Sequence, residues 1–177
     1  IRLKKWRPIG LMKEYVGDPN RMLETFVNGY YYTGDKAYFD ESGYWWSVGR
    51  ADDVIKSSDY RIGPYEVESA LVEHDAVAEA AVVASPDPMR YQAVKAFIAL
   101  KPGYKANEEL AKDIWNHLIK ILPKYKIPRI IEFVDELPKT ISGKIRRVEL
   151  RDLEAKKRNR GEKGDKEYFY DELMKKY

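Results

Sequence analysis

The sequence contains no cysteine, only two histidines and no long apolar run. Without cysteine it can form neither a disulfide framework nor a thiolate metal site, and this composition fits a reducing cytoplasm. No window approaches the roughly 18 to 20 apolar residues of a membrane-spanning helix, so we expect no membrane span. The histidines, His74 and His117, show no metal-ligand spacing. We expect both to lie within helices as ordinary surface or partly buried residues.

The residues that are present predict a β-rich beginning. Apolar residues make up 44% of the chain and aromatic residues 13%, which is sufficient for a packed core. Within residues 1–50, "YYYTGD" and "GYWWSVG" have the composition of strands and flank the turn "DESG", and a short helical pattern occurs near "NRMLETF". We expect Tyr31, Tyr32, Trp45 and Trp46 to pack rather than bind a ligand.

Residues 52–152 mix helix and strand patterns. Helices are predicted in "GPYEVESALVEHD", with Pro64 in the first turn, and in "NEELAKDIWNHLIKIL", with Asn107 as the N-cap. Strands are predicted in "VAEAAVVA", "AVKAFIAL" and "RIIEFVD", the second with alternating apolar positions. A short helix at "RVELRDLEAKK", the solvated stretch "KRNRGEKGDK" and an amphipathic turn in "EYFYDELMKKY" follow. The prediction is an α+β domain with a short, mainly antiparallel sheet flanked by helices.

Three stretches combine glycine, acids and basic residues: "YYTGD", "GRADDVIKSSDYRIGPYEVE" and "LPKTISGKIRR". The Gly-Lys pair of the third, Gly143 and Lys144, is not a Walker phosphate loop. That loop requires a glycine where Pro138 stands and a serine or threonine where Ile145 stands. Another explanation is therefore required for Lys144.

In this order the three stretches resemble the ribose, hinge and catalytic-lysine motifs of the adenylate-forming superfamily, which includes acyl-CoA synthetases. The likeness runs from about residue 8 to 152, and "GRADD", "YRIGPYEVE" and "SPDP" resemble the medium-chain acyl-CoA synthetase branch. It implies that residues 1–51 end a large N-terminal domain and that 52–152 form a small mobile one, with 153–177 a charged extension. Because Ile1 is not methionine and "IRLKKW" predicts a strand already under way, we expect a fragment of a longer enzyme. The resemblance places the triphosphate loop and the acyl pocket upstream of these residues, so it implies that the fragment alone is inactive.

The resemblance also implies roles for the adenylation step. Lys144 matches the adenylation lysine, and Gly143 lets its loop approach the nucleotide. Asp35 and Arg50 match the pair that contacts the ribose, and Arg61 the arginine that reaches the adenylate phosphate. For the two arginines, ion pairing with nearby acids (Asp52, Asp53 or Glu66) is the alternative interpretation. Asp52 matches the hinge about which the small domain turns between two catalytic poses.

For the thioester step, the resemblance places Ser58, Asp59 and Tyr60 beside the pantetheine channel and Arg90 on the nucleotide side of CoA. Lys124, Lys126 and Arg129 are further candidates, although a solvated face explains them as well. Asp59 departs from the family, which has glycine at this position. Aspartate tolerates left-handed dihedrals, so the turn can survive, but its charge intrudes on the path of the CoA arm.

The expected activity is AMP-forming ligation of a medium-chain or branched fatty acid to CoA. It requires ATP, CoA and the missing N-terminal domain, with Mg²⁺ held chiefly by phosphates and by residues outside this chain. Alternatives are an acyl-adenylate enzyme with a weak or absent CoA step that serves a carrier protein, and an inert nucleotide- or CoA-binding module. Nucleic-acid binding by "EAKKRNRGEKGDK" is disfavoured because acids are interleaved and no aromatic platform accompanies it.

Overall fold

The computed structural model describes residues 9–174, which divide into two units at Asp52 and Asp53. The first unit is β-rich, as predicted. Helix α1 (Pro19–Thr25) has Asp18 as its N-cap, and the Asp18 side chain accepts a hydrogen bond from the Arg21 N–H at 3.1 Å. Two antiparallel hairpins follow, β1 (Phe26–Val27) with β2 (Tyr30–Tyr31) and β3 (Asp35–Phe39) with β4 (Trp45–Arg50). The strand predicted for residues 1–6 lies outside the described residues.

The aromatic residues of the second hairpin pair with each other across β3 and β4. Trp45 lies 5.5 Å from Phe39 and Trp46 lies 6.5 Å from Tyr38, measured between ring centroids. Both tryptophans nevertheless stay more than half exposed, at 73% and 52%. The expected packing is therefore limited to ring pairs on the hairpin surface.

The second unit is an α+β domain built on a mixed, mainly antiparallel sheet. Its strands are β5 (Ile55–Ser57), β6 (Tyr60–Ile62), β7 (Val77–Asp87), β8 (Tyr91–Leu100), β9 (Ile130–Val134) and β10 (Glu167–Phe169). Its helices are α2 (Pro64–Val72), α3 (Glu108–Ile121), a 3-10 turn (Lys124–Lys126), α4 (Arg147–Asn159) and α5 (Tyr170–Leu173). The sheet order is β10-β9-β8-β5-β6, with β7 also paired to β8, and only β8 and β9 run parallel. The predicted fold class is confirmed.

The signals that start the two predicted long helices act as expected. Pro64 is the first residue of α2, where its missing N–H costs no hydrogen bond. Asn107 caps α3 by accepting a hydrogen bond from the Leu110 N–H at 2.8 Å. The apolar face of α3 includes Trp115, which is fully buried and donates its indole N–H to the Pro128 carbonyl at 2.8 Å. These local features position both helices on the sheet.

Strand β8 is buried on both faces, whereas its sequence pattern predicts alternation. Val94, Ala96 and Ile98 face a core that includes residues of α2 and α3. Phe97 faces a second cluster together with Leu137 and Leu150, which lies on α4. Since helices cover both sides of the sheet, the intervening positions are buried too. The alternating pattern thus identified one of the two faces.

The position between Val94 and Ala96 is Lys95, and its buried ammonium is enclosed by carboxylates. Its Nζ lies 2.6 Å from Glu132 and 2.5 Å from Glu154, and it also donates to Glu167. These four residues, here called the Lys95 cluster, join β8, β9, α4 and β10. Buried charges persist only when they are paired in this manner.

The Lys95 cluster places the C-terminal stretch in the fold. The prediction of a solvated stretch at residues 157–166 is wrong at its start, because α4 continues to Asn159 and Arg158 bonds Glu154 at 2.7 Å. Beyond it, β10 pairs with β9 at the sheet edge. Helix α4 also runs through the predicted boundary between residues 152 and 153. Residues 153–174 therefore pack within the second unit, and the assignment of the first unit to a larger domain stays a prediction.

Candidate functional site

The first unit brings Asp35 and Arg50 together. They are directly paired positions of β3 and β4, and Arg50 Nη1 lies 3.5 Å from Asp35 Oδ1 and donates to the Thr33 carbonyl at 2.9 Å. Gly34 has φ of 78°, which favours glycine, and a Cβ there would lie 2.7 Å from this guanidinium and displace it. Arg50 Nε also donates to Asp52 at 3.2 Å. The two residues predicted to contact ribose thus lie together, and Arg50 also makes the alternative ion pair with Asp52; the ribose role stays a prediction.

In the second unit, Ser58, Asp59 and Tyr60 form the turn between β5 and β6. The Ser58 N–H donates to the Arg90 carbonyl at 2.9 Å, which joins this turn to the start of β8. The left-handed residue of the turn is Ser58, with φ of 51°, and Asp59 is not among the described residues with positive φ. The turn therefore does not depend on the tolerance of aspartate for left-handed dihedrals. Its side chain is exposed, and its charge remains its main difference from glycine.

Arg61 follows this turn on β6, paired in register with Lys56. Its side chain is exposed, and Nη1 donates to the Tyr60 carbonyl at 3.4 Å. The proposed alternative partner, Glu66, instead binds Lys126 at 2.5 Å. Burial lowers the pKa of Lys126, but the hydrogen bond that it donates to Glu66 and the charge of that carboxylate outweigh this, so the pKa is raised overall. Lys126 is therefore committed to an ion pair.

A cationic and aromatic cavity of about 290 Å³ lies beside the Ser58 turn. Its polar lining residues are Ser57, Ser58, Tyr60, Arg90, Lys124, Tyr125 and Arg129. The rings of Tyr60 and Tyr125 stack 4.1 Å apart with planes inclined by 9°. The cavity thus joins three residues of the predicted CoA set with two of the further basic candidates. Sequence reasoning missed Tyr125, although an aromatic residue between the two lysines of "KYK" was visible.

Asp171 of α5 holds the arginines of this cavity. Its carboxylate lies 4.0 Å from Arg90 Nη2 and 3.6 Å from Arg129 Nη1. Arg90 also pairs with Asp87 at 3.6 Å, and the Arg129 guanidinium stacks over the Tyr170 ring at 4.7 Å. Both guanidinium groups therefore lie beside carboxylates and are only partly exposed. The C-terminal stretch again contributes residues that the sequence analysis treated as an extension.

Lys144 lies in a turn that is closed by its own hydrogen bonds. Lys139 and Ile145 form an isolated bridge, the Thr140 N–H donates to the Lys144 carbonyl at 2.8 Å, and the Lys144 N–H donates to Thr140 Oγ1 at 3.1 Å. The Lys144 side chain is exposed. Gly143 has φ of 80°, and a Cβ there would meet no described atom within 4 Å. The left-handed backbone, rather than close approach, is what requires glycine within this unit.

His74 and His117 have structural hydrogen bonds. His74 lies after α2, not within it, and its Nδ1 accepts from the Ala76 N–H at 3.2 Å while Nε2 lies 3.2 Å from Asp113. His117 lies within α3, with Nε2 3.2 Å from the Ala70 carbonyl. The prediction that both lie in helices is therefore wrong for His74.

Three acids of the second unit lie close enough together to be considered as magnesium ligands. Within residues 9–174, the group of acids arranged to hold a metal consists of Glu132, Glu154 and Glu167. The Lys95 ammonium occupies the space between them, so these residues do not fit a divalent cation. No helix among the described residues is both long and apolar enough to cross a membrane.

Comparison with known proteins gives these features a context. Residues 66–144 match the family described as the AMP-binding enzyme C-terminal domain. The chain is 64% identical over 164 residues to 4-hydroxybutyrate–CoA ligase 1 of Metallosphaera sedula, covering 93% of this chain and 29% of that protein. It is 55% identical over 150 residues to the mitochondrial acyl-coenzyme A synthetase ACSM3 of Mus musculus, covering 84% of this chain and 26% of that protein. The chain thus spans less than a third of the length of these relatives.

The similar solved structures are also CoA ligases and acyl-CoA synthetases. The anthranilate CoA ligase AuaEII, determined with anthranoyl-AMP, matches with a TM-score of 0.71 and 44% identity over 77% of this chain and 26% of that one. The Brucella canis acyl-CoA synthetase matches with a TM-score of 0.60 and 53% identity over 76% of this chain and 25% of that one. Residues 66–144 therefore form an AMP-binding enzyme C-terminal domain, and the relatives named here are CoA ligases and acyl-CoA synthetases.

Proposed function

We propose that this chain is the C-terminal part of an AMP-forming acyl-CoA synthetase. The observation that carries the proposal is Lys144, exposed on an internally hydrogen-bonded turn within a family whose members named above are CoA ligases. The chain's own large N-terminal domain, ATP, CoA and a carboxylic acid are its proposed partners. The absence of cysteine favours a reducing, cytoplasmic setting.

In the first half-reaction, a carboxylate oxygen bonds to the α-phosphorus of ATP and the bond to pyrophosphate breaks. Two anions must approach each other, and their repulsion opposes the step. An ammonium group at Lys144 offsets this repulsion and stabilises the charge that moves onto pyrophosphate. Asp35 and Arg50 are proposed to hold the ribose, and Arg61 to contact the phosphate with its planar set of donors.

In the second half-reaction, the CoA sulfur bonds to the acyl carbon, its proton passes to solvent, and AMP leaves. The cavity beside Ser58 supports a role in holding CoA, since Arg90, Lys124 and Arg129 suit its phosphates and the Tyr60–Tyr125 pair suits stacking with adenine. Bound Mg²⁺ would neutralise phosphate charge. We assign it to the nucleotide and to residues outside this chain.

The test is Lys144→Ala in the complete protein. Carboxylate-dependent exchange of pyrophosphate into ATP should fall by about 100-fold or more, because the charge that stabilises the transition state is lost. Thioester formation from supplied acyl-adenylate and CoA should change by no more than about threefold, a shift near 0.6 kcal/mol. The matched control is Lys139→Ala, which removes a lysine from the same turn that pairs with Glu79. Undiminished exchange in Lys144→Ala would overturn the proposal.

The acid is to be identified with a panel of carboxylates on the complete protein, following pyrophosphate and AMP. Medium-chain and branched fatty acids come first, from the resemblance of the motifs. The 64% identical relative is named for 4-hydroxybutyrate, so short hydroxy acids are included. Release of AMP only when CoA is present would support complete ligation.

A further inference from the structure

Two arginines on one face of α4 have buried partners that the roles above do not use. Arg147 Nε donates to Glu68 Oε1 at 2.8 Å and Nη2 donates to Glu68 Oε2 at 2.5 Å, a two-pronged pair. Arg151 donates through Nη1 to Asp53, and Arg147 Nη1 lies 4.0 Å from the same carboxylate. Glu68 Oε1 also accepts from the Val82 N–H at 2.8 Å. We call Asp53, Glu68, Arg147 and Arg151 the α4 clamp.

The α4 clamp is sheltered from solvent on its acidic side. The side chains of Asp53 and Glu68 are 9% and 8% exposed, and each arginine is 24% exposed. Charge-assisted bonds to buried carboxylates are strong, and leaving one such carboxylate without its cation is costly. The hydrogen bonds that Arg147 donates to Glu68 raise the pKa of Arg147, and burial only partly opposes this. The clamp therefore resists separation of α4 from α2 and from the start of the second unit.

The residues of the α4 clamp lie next to both the predicted hinge and the Lys144 turn in the chain. Asp53 directly follows Asp52, the predicted hinge. Arg147 is the first residue of α4 and comes three positions after Lys144. The Arg146 N–H donates to the Pro138 carbonyl at 2.8 Å, which ties the base of the Lys144 turn to the start of this helix. The clamp thus connects the residue beside the hinge to the turn that carries the lysine.

We infer that the α4 clamp positions Lys144. When the second unit rotates at Asp52, the clamp keeps the Lys144 turn at a constant position relative to Asp53, so the lysine reaches the nucleotide in a defined position. This inference rests on the proposed function. Asp53, Glu68, Arg147 and Arg151 act through Lys144 and touch no substrate, so they are positioning residues. It also explains why basic residues follow the Gly-Lys pair so closely, since Arg147 holds the helix while Lys144 remains exposed.

The experiment uses Asp53→Asn in the complete protein, which keeps the shape of the side chain and removes its charge. The kcat of pyrophosphate exchange should fall by about 10- to 100-fold, because a small displacement of a catalytic group has effects of that size, with KM for ATP within about threefold. Thioester formation from supplied acyl-adenylate should stay within about threefold. Arg151→Lys, which keeps the charge but loses the planar fork, should be intermediate and serves if Asp53→Asn does not fold.

The matched control is Glu149→Gln, which breaks the exposed Arg146–Glu149 pair on the same helix and should leave both half-reactions unchanged. A second control combines Asp53→Asn with Lys144→Ala. Because the clamp acts through the lysine, the double variant should be no slower in pyrophosphate exchange than Lys144→Ala alone. Additive losses, or an equal loss in both half-reactions, would show a merely structural role and overturn the inference.

Hydrogen exchange separates the inference from the proposed function, since it requires no activity. In Asp53→Asn, the amides of Thr140, Gly143 and Lys144 should exchange about tenfold faster or more, while those of β7 and β8 keep their protection. Unchanged protection of the turn overturns the inference. Suppose that the wild-type protein forms no acyl-adenylate but hydrogen exchange of the turn is faster in Asp53→Asn. This result would support the link between the clamp and the turn and would refute the proposed ligase activity.

Discussion

Lys95 and Lys144 carry the same ammonium group in opposite surroundings. Lys95 is fully buried among three carboxylates, and Lys144 is exposed on a turn whose hydrogen bonds involve its backbone. A cation enclosed by permanent partners cannot respond to a substrate, whereas an exposed one can be brought to an incoming anion. The surroundings, and not the residue type, therefore separate the structural lysine from the proposed catalytic one.

Asp59 gives the residue-scale prediction. In the complete protein, Asp59→Gly should raise CoA-dependent turnover by several-fold and leave pyrophosphate exchange nearly unchanged, because it removes a negative charge from the path proposed for the CoA thiolate and pantetheine arm. No strain is relieved at this position, since the left-handed residue is Ser58. Steady-state rates of both half-reactions provide the measurement.

Asp87→Gly, which instead removes one of the two acidic partners of Arg90, is the matched control and should weaken CoA binding. Equal effects of Asp59→Gly on the two half-reactions would contradict the interpretation. Absence of any CoA-dependent turnover in both the wild type and the variant would favour delivery of the acyl group to a carrier protein.

Among the elements, helix α4 has the charged sequence of a solvent-exposed helix, but several of its charged side chains are buried in ion pairs. Arg147 and Arg151 bind buried acids at one end, and Glu154 and Arg158 reach the Lys95 cluster at the other. Strand β10 contributes Glu167 to the same cluster. The helix that follows the Lys144 turn is thus fixed at both ends by ion pairs.

The Lys95 cluster predicts a dependence of stability on pH. Burial raises the pKa of Glu167, but bonds from Lys95 and the Gly164 N–H and the charge of Arg158 outweigh it, so the pKa lies below its ordinary value. A carboxyl with a depressed pKa stabilises the fold above its unfolded pKa of about 4.3, and this stability is lost as pH falls through the lower folded value. In Glu167→Gln, the free energy of unfolding should therefore decrease less steeply than in the wild type as the pH falls below about 5.

At neutral pH, Glu167→Gln should cost about 3 kcal/mol, because it removes one partner from buried cations. Urea unfolding of wild type and variant across this pH range provides the measurement. Glu162→Gln, at an exposed position of the same stretch, should follow the wild-type curve. Parallel curves for wild type and Glu167→Gln would contradict the role given to the carboxyl.

At the scale of the whole molecule, the division at Asp52 and Asp53 is the main feature. A rotation between units requires changes in a few backbone dihedrals at such a boundary. Asp52 side-chain Oδ1 accepts from Arg50 of the first unit, and Asp53 is bound by the α4 clamp of the second. The two successive acids thus bond to different units, which leaves the peptide between them as the proposed hinge.

The hinge is tested with Asp52→Pro in the complete protein. Proline restricts φ to about −65°, so we expect one half-reaction to fall by about tenfold or more relative to the other. Asp52→Ala also loses the bond to Arg50 but leaves the dihedral free, and should affect both half-reactions by less than about threefold. Single-turnover assays of adenylation and thioester formation provide the measurement. Indistinguishable effects of the two substitutions would refute a hinge at this residue.

Local sequence was sufficient for most elements of the second unit. Pro64 and Asn107 start helices by satisfying or sparing backbone groups within the next turn, and the Thr-Ile-Ser-Gly run before Lys144 specifies a turn that needs a left-handed glycine. These interactions span a few residues, so their pattern is visible in one dimension. The fold class and the three motif stretches followed from such patterns.

Only the tertiary structure decided which charges are buried. Lys95 meets Glu154 across 59 positions, Arg147 meets Glu68 across 79, and Arg151 meets Asp53 across 98. No local pattern indicates which members of a charged chain will meet, because pairing depends on how the sheet brings distant segments together. The sequence alone therefore determined the motifs and their local turns, while the packing of α4 on the sheet decided which charges are buried and which, like Lys144, remain exposed.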